Sequence, residues 1–220
     1  MSVLEIKNLN FSYDGNKVVL KNINMDFSLG NVYGIYGKSG AGKSTLLSLL
    51  AGLEKTKDGD ILYEGFDIDK ISREKYRSSH VGIIFQQYNL LPQLTALENV
   101  ILSMDISGIK EKNKKAKALK LLKKVGIDET KANRRILMLS GGEQQRVAIA
   151  RALSYDSKVI LADEPTGNLD GENEKAIIEI LKDLAHKENK CVIVVSHSDR
   201  LKKEVDILYY LENGKLKDAN

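Results

Sequence analysis

Apolar and polar residues alternate over residues 3–27, with Leu4 and Ile6 in a first run and Ile23, Met25 and Phe27 in a second. A period of two places one side of each run against a core, so the spacing predicts two strands joined by a turn at Asp14-Gly15-Asn16. The expectation is an antiparallel β layer over about residues 1–30. Asn31-Val32-Tyr33-Gly34-Ile35-Tyr36 then reads as a buried strand and Leu46-Leu47-Ser48-Leu49-Leu50-Ala51 as a helix. Asp58-Gly59 and Glu64-Gly65 bracket a short strand, Ile61-Leu62-Tyr63, and a further strand over 81–85 ends at Gln86. From 95 to 125 the period becomes helical, with Ala118, Leu121, Leu122 and Val125 at i, i+3, i+4 and i+7. Next come a helix over 144–150 that Ser140 can cap, an apolar strand over 159–162, a helix over about 172–186, a strand over 191–195 and a hairpin through Asn213-Gly214. The whole reads as α/β, one domain of 220 residues with a sizeable core.

Between the strand at 31–36 and the helix at 46–51 lies Gly37-Lys38-Ser39-Gly40-Ala41-Gly42-Lys43-Ser44-Thr45, which meets G-x-x-x-x-G-K-[ST] at every fixed position. Polyphosphate is crowded with negative oxygens and needs backbone N–H groups turned inward, which Gly37, Gly40 and Gly42 permit. Lys43 places an ammonium against the β and γ phosphates, and the Ser44 hydroxyl is a hard ligand for Mg²⁺. The helix that follows aims its positive end at the same phosphates. A nucleotide triphosphate and Mg²⁺ are therefore the expected ligands.

Other polar groups stand at strand and helix ends. Gln86 ends one strand, where α/β proteins bind ligands. Asp163 and Glu164 end another: two adjacent acids there are costly unless used, Asp163 as a Mg²⁺ ligand and Glu164 to polarise water. Ser140-Gly141-Gly142 offers a second anion site at a helix start. Tyr13, ahead of the phosphate loop, is either a platform on which adenine stacks or an ordinary strand aromatic.

Composition trims the alternatives. The longest apolar runs fall short of the ~20 residues that cross a bilayer, and the start lacks a signal peptide's apolar stretch, so a cytosolic location is expected. The single cysteine, Cys191, lies in an apolar run and reads as a buried spectator thiol. A net charge of +4 is too small to argue for nucleic acid. Lys112, Lys114, Lys115, Lys117, Lys120, Lys123 and Lys124 share one helical segment with little aromatic interleaving, the composition of a solvated face. His80 and His186 match no motif and read as exposed or merely packed.

Taken together, GKSGAGKST, the Gln86 strand end, LSGGEQQR, VILADEP and Ser196-His197 resemble an ATP-binding cassette (ABC) ATPase subunit over nearly the whole chain. The resemblance implies the phosphate-loop NTPase fold of that family: a mainly parallel core sheet, the antiparallel β subdomain at about 1–30, and a helical subdomain at about 87–153. It implies that two copies pair head to tail, so that Ser140, Gly141 and Gly142 of one contact the γ-phosphate held by Gly37, Ser39, Gly40, Ala41, Gly42, Lys43, Ser44 and Thr45 of the other. By the same resemblance Tyr13 stacks on adenine, Gln86 contacts Mg²⁺ and water, Asp170 bridges the two sites, and His197 contacts the γ-phosphate. The finer wording at 89–100 and 162–170 resembles the group serving lipoprotein release, macrolide or peptide efflux, and cell division. Integral membrane permease subunits are the implied partners at the cytoplasmic face of the membrane, with a periplasmic or extracellular adaptor as a further one. A mechanical signalling complex that regulates wall remodelling without transport is the alternative. The sequence departs from the family at Asn31, where an acid is more usual, and at Lys55-Thr56-Lys57, where proline is frequent. The prompt end after Asp206 implies no added regulatory domain.

Overall fold

The computed structural model describes residues 2–13 and 17–217. Strand β1 (Ser2–Ser12) pairs antiparallel with β2 (Val18–Ser28), setting Leu4 opposite Phe27 and Ile6 opposite Met25, so the alternating apolar residues face one core. The turn expected at Asp14-Gly15-Asn16 lies outside the described residues. The layer reaches beyond the 1–30 span read from alternation. After β3 (Val32–Tyr36) and α1 (Lys43–Leu50), β4 (Asp58–Tyr63) pairs with the other edge of β1, and β5 (Phe66–Asp67) pairs with β4. Glu64 and Gly65 join these last two with φ of 49° and 81°, the left-handed pair that a two-residue hairpin requires.

The second half alternates strand and helix. Helix α2 (Arg73–Ser79), which the periodicity does not announce, is followed by β6 (Val81–Ile84). The helical stretch expected over 95–125 is two helices, α3 (Ala96–Ile106) and α4 (Lys114–Lys124), broken near Gly108 at φ 68°. Then come α5 (Glu129–Ala132), α6 (Gly141–Ala152), β7 (Val159–Asp163), α7 (Gly171–His186), β8 (Cys191–Val195), α8 (Asp199–Lys202), β9 (Ile207–Glu212) and β10 (Lys215–Lys217). These strands form a sheet in the order β10-β9-β3-β8-β7-β6, parallel except for the terminal hairpin. Of its central residues, Val32, Ile160, Ala162, Val192 and Val194 face a core shared with α3, α4, α6 and α7, while Ile35, Val159, Leu161, Ile193 and Val195 face one shared with α1 and the antiparallel sheet. Burial on both sides is why these strands are nearly continuous in apolar residues. Cys191 is buried there, and burial pushes its thiol up to about 12, in keeping with a spectator role.

Two side chains close the far end of α1. The Tyr76 hydroxyl donates to the Leu50 carbonyl at 3.0 Å and the Arg77 guanidinium to the Gly52 carbonyl at 2.7 Å. These carbonyls would otherwise be left open at a helix end. His186 pairs with Asp206 at 2.8 Å, and Asp206 also accepts the Val32 N–H at 2.7 Å, anchoring β3 where it enters the sheet. Burial raises the Asp206 carboxyl, but the Val32 N–H and His186 outweigh it and hold the group below its ordinary value.

Tyr76 is 1% exposed, so Tyr76→Phe removes one buried hydrogen bond and little volume. Urea denaturation should show a loss of about 1–2 kcal/mol, with nucleotide binding unchanged. A loss of binding equal to the loss of stability would place Tyr76 in the site rather than under it.

Candidate active site

The sheet register brings the carboxyl ends of four strands level. Ile35 pairs with Val195, Asp163 with Val195, and Ile84 with Ala162. The residues that follow these strands are therefore neighbours: the phosphate loop after β3, Gln86 after β6, Glu164 after β7, and Ser196-His197 after β8. This is the edge at which parallel α/β sheets bind ligands.

An open cleft of about 610 Å³ lies there, lined by Val19, by Gly37, Ser39, Gly40, Gly42, Lys43, Ser44 and Thr45 of the phosphate loop with Lys38, and by Glu164 and His197. The loop is shaped by backbone more than by side chains. Gly42 caps α1 at φ 105°, a conformation that a side chain would strain, and no side chain caps the helix, so its first N–H groups stay open to an anion. Lys43 curls back over the loop and donates to the Gly37 carbonyl at 2.7 Å and the Lys38 carbonyl at 3.2 Å. Its ammonium is thereby held over the cradle on neutral acceptors, which phosphate oxygens can replace.

Opposite stand the two acids. Glu164 has φ 45°, a left-handed backbone uncommon for a side-chain-bearing residue and typical of functional turns. Its carboxylate accepts from the Ser196 hydroxyl at 3.0 Å and the His197 N–H at 3.2 Å, and it lies 2.7 Å from His197 Nδ1. Glu164 is thus aimed along the cleft by the β8 end. Burial raises the Asp163 carboxyl, the Glu164 charge raises it further, and Lys43 opposes both. A cation beside Asp163 would relieve that conflict.

Other expected residues stand apart from this cleft. Tyr13 is 56% exposed, edge-on to Phe11, with its hydroxyl 3.2 Å from the Thr45 hydroxyl, so it flanks the loop. Ala41 is buried beneath it. Gln86 is exposed, and its carbonyl faces the Asn168 amide at 3.4 Å across the turn after Glu164. Asp170 caps α7, and the Asn173 N–H holds its carboxyl below the usual range. Ser140 caps α6 in a reciprocal box with Glu143, leaving the N–H groups of Gly141 and Gly142 at the open first turn. None of Ser140, Gly141 and Gly142 lines the cleft.

Ser196, read with His197 in the sequence, fixes Glu164. The structure adds two supports that motif reading does not find. Arg151 donates to the carbonyls of Tyr88, at 3.0 Å, and Asn89, clamping two consecutive residues with φ of 58° and 50°. Asn99, 3% exposed, holds Leu91 by both its N–H, at 2.8 Å, and its carbonyl, at 3.1 Å. Their only signal in the sequence is a polar residue on an otherwise apolar helical face.

Comparison with known proteins matches residues 20–167, more than half of the chain, to the family model described as ABC transporter. The ABC transporter ATP-binding protein YclH of Bacillus subtilis (strain 168) is 48% identical over 97% of this chain and 95% of YclH. The lipoprotein-releasing system ATP-binding protein LolD of Francisella tularensis is 39% identical over 97% of this chain and 95% of LolD. Among solved structures, the dimeric cassette MJ0796, whose sequence is from Methanocaldococcus jannaschii, superposes with a TM-score of 0.88 at 36% identity, covering 98% of this chain and 97% of that one. The same protein in a post-hydrolysis state bound to ADP and Pi superposes with a TM-score of 0.88 at 35% identity. The family match and these relatives, over almost all of the chain, show that it belongs to the ABC transporter family as an ATP-binding, ATP-hydrolysing subunit, in keeping with a phosphate loop that shares its cleft with Glu164.

Proposed function

We propose that this chain works as a dimer that closes around two ATP molecules and drives a separate membrane protein. One observation carries the reading: the phosphate loop and Glu164 share a cleft, while Ser140, Gly141 and Gly142 cap a helix outside its lining, which favours their use by another copy. The dimeric form of MJ0796 supports it. Among the described residues no helix is long and apolar enough to cross a membrane. The likeness to LolD favours lipoprotein release or a related efflux task at the cytoplasmic face, with an adaptor beyond the membrane as a further partner.

In the proposed reaction the γ-phosphate lies between Lys43 and the second copy's cap. Glu164, oriented by Ser196 and His197, takes a proton from water as the water oxygen bonds to the γ-phosphorus in line and the bond to the bridging oxygen breaks, leaving ADP and phosphate. Lys43 exchanges its bonds to the Gly37 and Lys38 carbonyls for phosphate oxygens, and the N–H groups of Gly141 and Gly142 from the other copy receive developing charge. Tyr13, exposed beside Thr45, stacks on the base, His197 touches the γ-phosphate, and Asp170 reaches across the interface. The Ser44 hydroxyl, the Asp163 carboxylate and the Gln86 amide oxygen are hard oxygen donors that fit Mg²⁺. Bound there, Mg²⁺ would neutralise phosphate charge.

Lys43→Ala should nearly abolish hydrolysis and weaken nucleotide binding, measured by phosphate release and calorimetry. Near wild-type turnover would remove the phosphate-loop assignment.

The two acids should separate. Glu164→Gln should keep ATP bound, lose about 10²–10⁴ in rate and accumulate a dimer by light scattering in Mg²⁺-ATP. Asp163→Asn should bind nucleotide poorly and form little dimer. A reversed pattern would exchange the roles of base and metal ligand.

The stretch over 86–100, a loop followed by the start of α3, should receive the membrane partner. Leu91 is 40% exposed there and is held from behind by Asn99. Cysteines placed at Leu91 and on the partner's cytoplasmic loops should crosslink; crosslinks confined to the lysine face of α4 would show that the partner uses another surface.

A further inference from the structure

Helix α6 turns two polar side chains inward, toward the segment that follows Glu164. Gln145 is fully buried; its Nε2 donates to the Pro165 carbonyl at 2.8 Å, and its Oε1 has no partner among the described residues. A carbonyl can only accept, so the amide nitrogen must face Pro165 and the orphan atom must be the oxygen. Next to it, Arg146 donates to Asn173 Oδ1 at 3.2 Å, and its buried Nε also lacks a partner. Asn173 in turn donates to both carboxylate oxygens of Asp170, each at 3.1 Å. A Cβ on Gly142 would lie 2.3 Å from Asn173 Oδ1, so the cap and this segment are in direct contact.

A buried acceptor without a hydrogen bond lowers stability, whereas an apolar side chain of similar shape would not. A costly polar group kept beside a reaction centre marks a place where the local rule gives way to function. Here the group lies one helical turn from the cap and bonds to the residue after Glu164.

We propose that Gln145 is a positioning residue for ATP hydrolysis: through Pro165 it keeps the Ser140-Gly141-Gly142 cap in register with the Glu164 turn of the same chain. The cap offered to a second copy is then set by the state of this chain's own site. Glu164 is held by Ser196 and His197 on one side, and its next carbonyl holds α6 on the other. Any shift of that turn on binding or losing a γ-phosphate is passed to α6, and the Arg146-Asn173-Asp170 chain adds a second tie to the same helix. The proposal rests on the reading that the cap acts on a second copy.

Gln145→Met tests it, because methionine fills the space without the bond to Pro165 or the orphan oxygen. The melting temperature should stay the same or rise, KM for ATP should change little because the phosphate loop and Lys43 supply most of the contacts to the nucleotide, and kcat should fall about 10-fold to 100-fold, the scale of a small misplacement of reacting groups. In a Glu164→Gln background it should also weaken the ATP-dependent dimer. An unchanged kcat in the folded variant would overturn the proposal, as would a kcat loss explained entirely by a smaller folded fraction. If Glu164→Gln alone binds ATP yet stays monomeric, the reading of the cap fails, and the kcat of Gln145→Met still decides whether this residue positions the Glu164 turn. Should Gln145→Met not fold, Asn173→Ala cuts the second tie at a partly exposed position; a fall in kcat at constant KM supports the coupling, and wild-type kcat refutes it.

Discussion

The phosphate loop keeps its shape because backbone packs directly on backbone behind it. The terminal hairpin turns at Asn213-Gly214, with φ of 51° and 77°, and this turn is wedged between the loop and the antiparallel sheet. Gly214 donates to the Ala41 carbonyl at 3.2 Å and accepts from the Lys21 N–H at 2.7 Å. A side chain on Gly37 would meet the Leu211 carbonyl at 2.1 Å, and one on Gly214 would meet the Val19 carbonyl at 2.2 Å. Glycine at these points lets three chain segments approach to hydrogen-bonding distance, so the antiparallel layer, the parallel sheet and the loop form one rigid support. With the cradle fixed in advance, its N–H groups need no reorganisation to meet phosphate.

The remaining chemistry follows from register. Because β3, β8 and β7 end level, Glu164 and the Ser196-His197 pair face the loop without any long side chain having to reach. Burial raises the Asp163 carboxyl, and the charge of Glu164, its neighbour in the chain, raises it further, with Lys43 pulling the other way. A site of this kind favours a ligand that brings both polyphosphate and a cation.

Much of this was legible from residues alone where a local rule decides the outcome. Gly37 to Thr45 has a spacing that few other structures require, Ser140 has a capping partner three residues on at Glu143, and the strands β7, as far as Ala162, and β8 are apolar because both faces are covered. What stayed hidden depends on contacts distant in sequence. The pairing of β4 with β1, which widens the antiparallel layer, joins residues from 48 positions apart at Asn10 and Asp58 to 59 at Leu4 and Tyr63, and leaves only a short apolar run as its sign. Helix α2 is short and is recruited by Tyr76 and Arg77 to close α1. Gln145 and Arg151 are polar residues whose partners are carbonyls of remote loops, and Asn99 holds the N–H and carbonyl of Leu91 just ahead of its own helix, so no periodicity marks them. The role of Tyr13 also hangs on tertiary placement, beside Thr45 and in solvent rather than in the core.

The central claim is that the cleft is a prebuilt cradle for polyphosphate, with the base contributing less than the phosphate chain. Calorimetric titration of the wild-type chain with AMP, ADP and ATP in the presence of Mg²⁺ tests this directly. Affinity should rise steeply from AMP to ADP, as N–H groups of the loop and Lys43 acquire partners, and inorganic tripolyphosphate should compete with ATP. If AMP or adenosine bound as tightly as ATP, or if tripolyphosphate failed to compete, recognition would lie in the base and ribose, and the account of the loop would be contradicted.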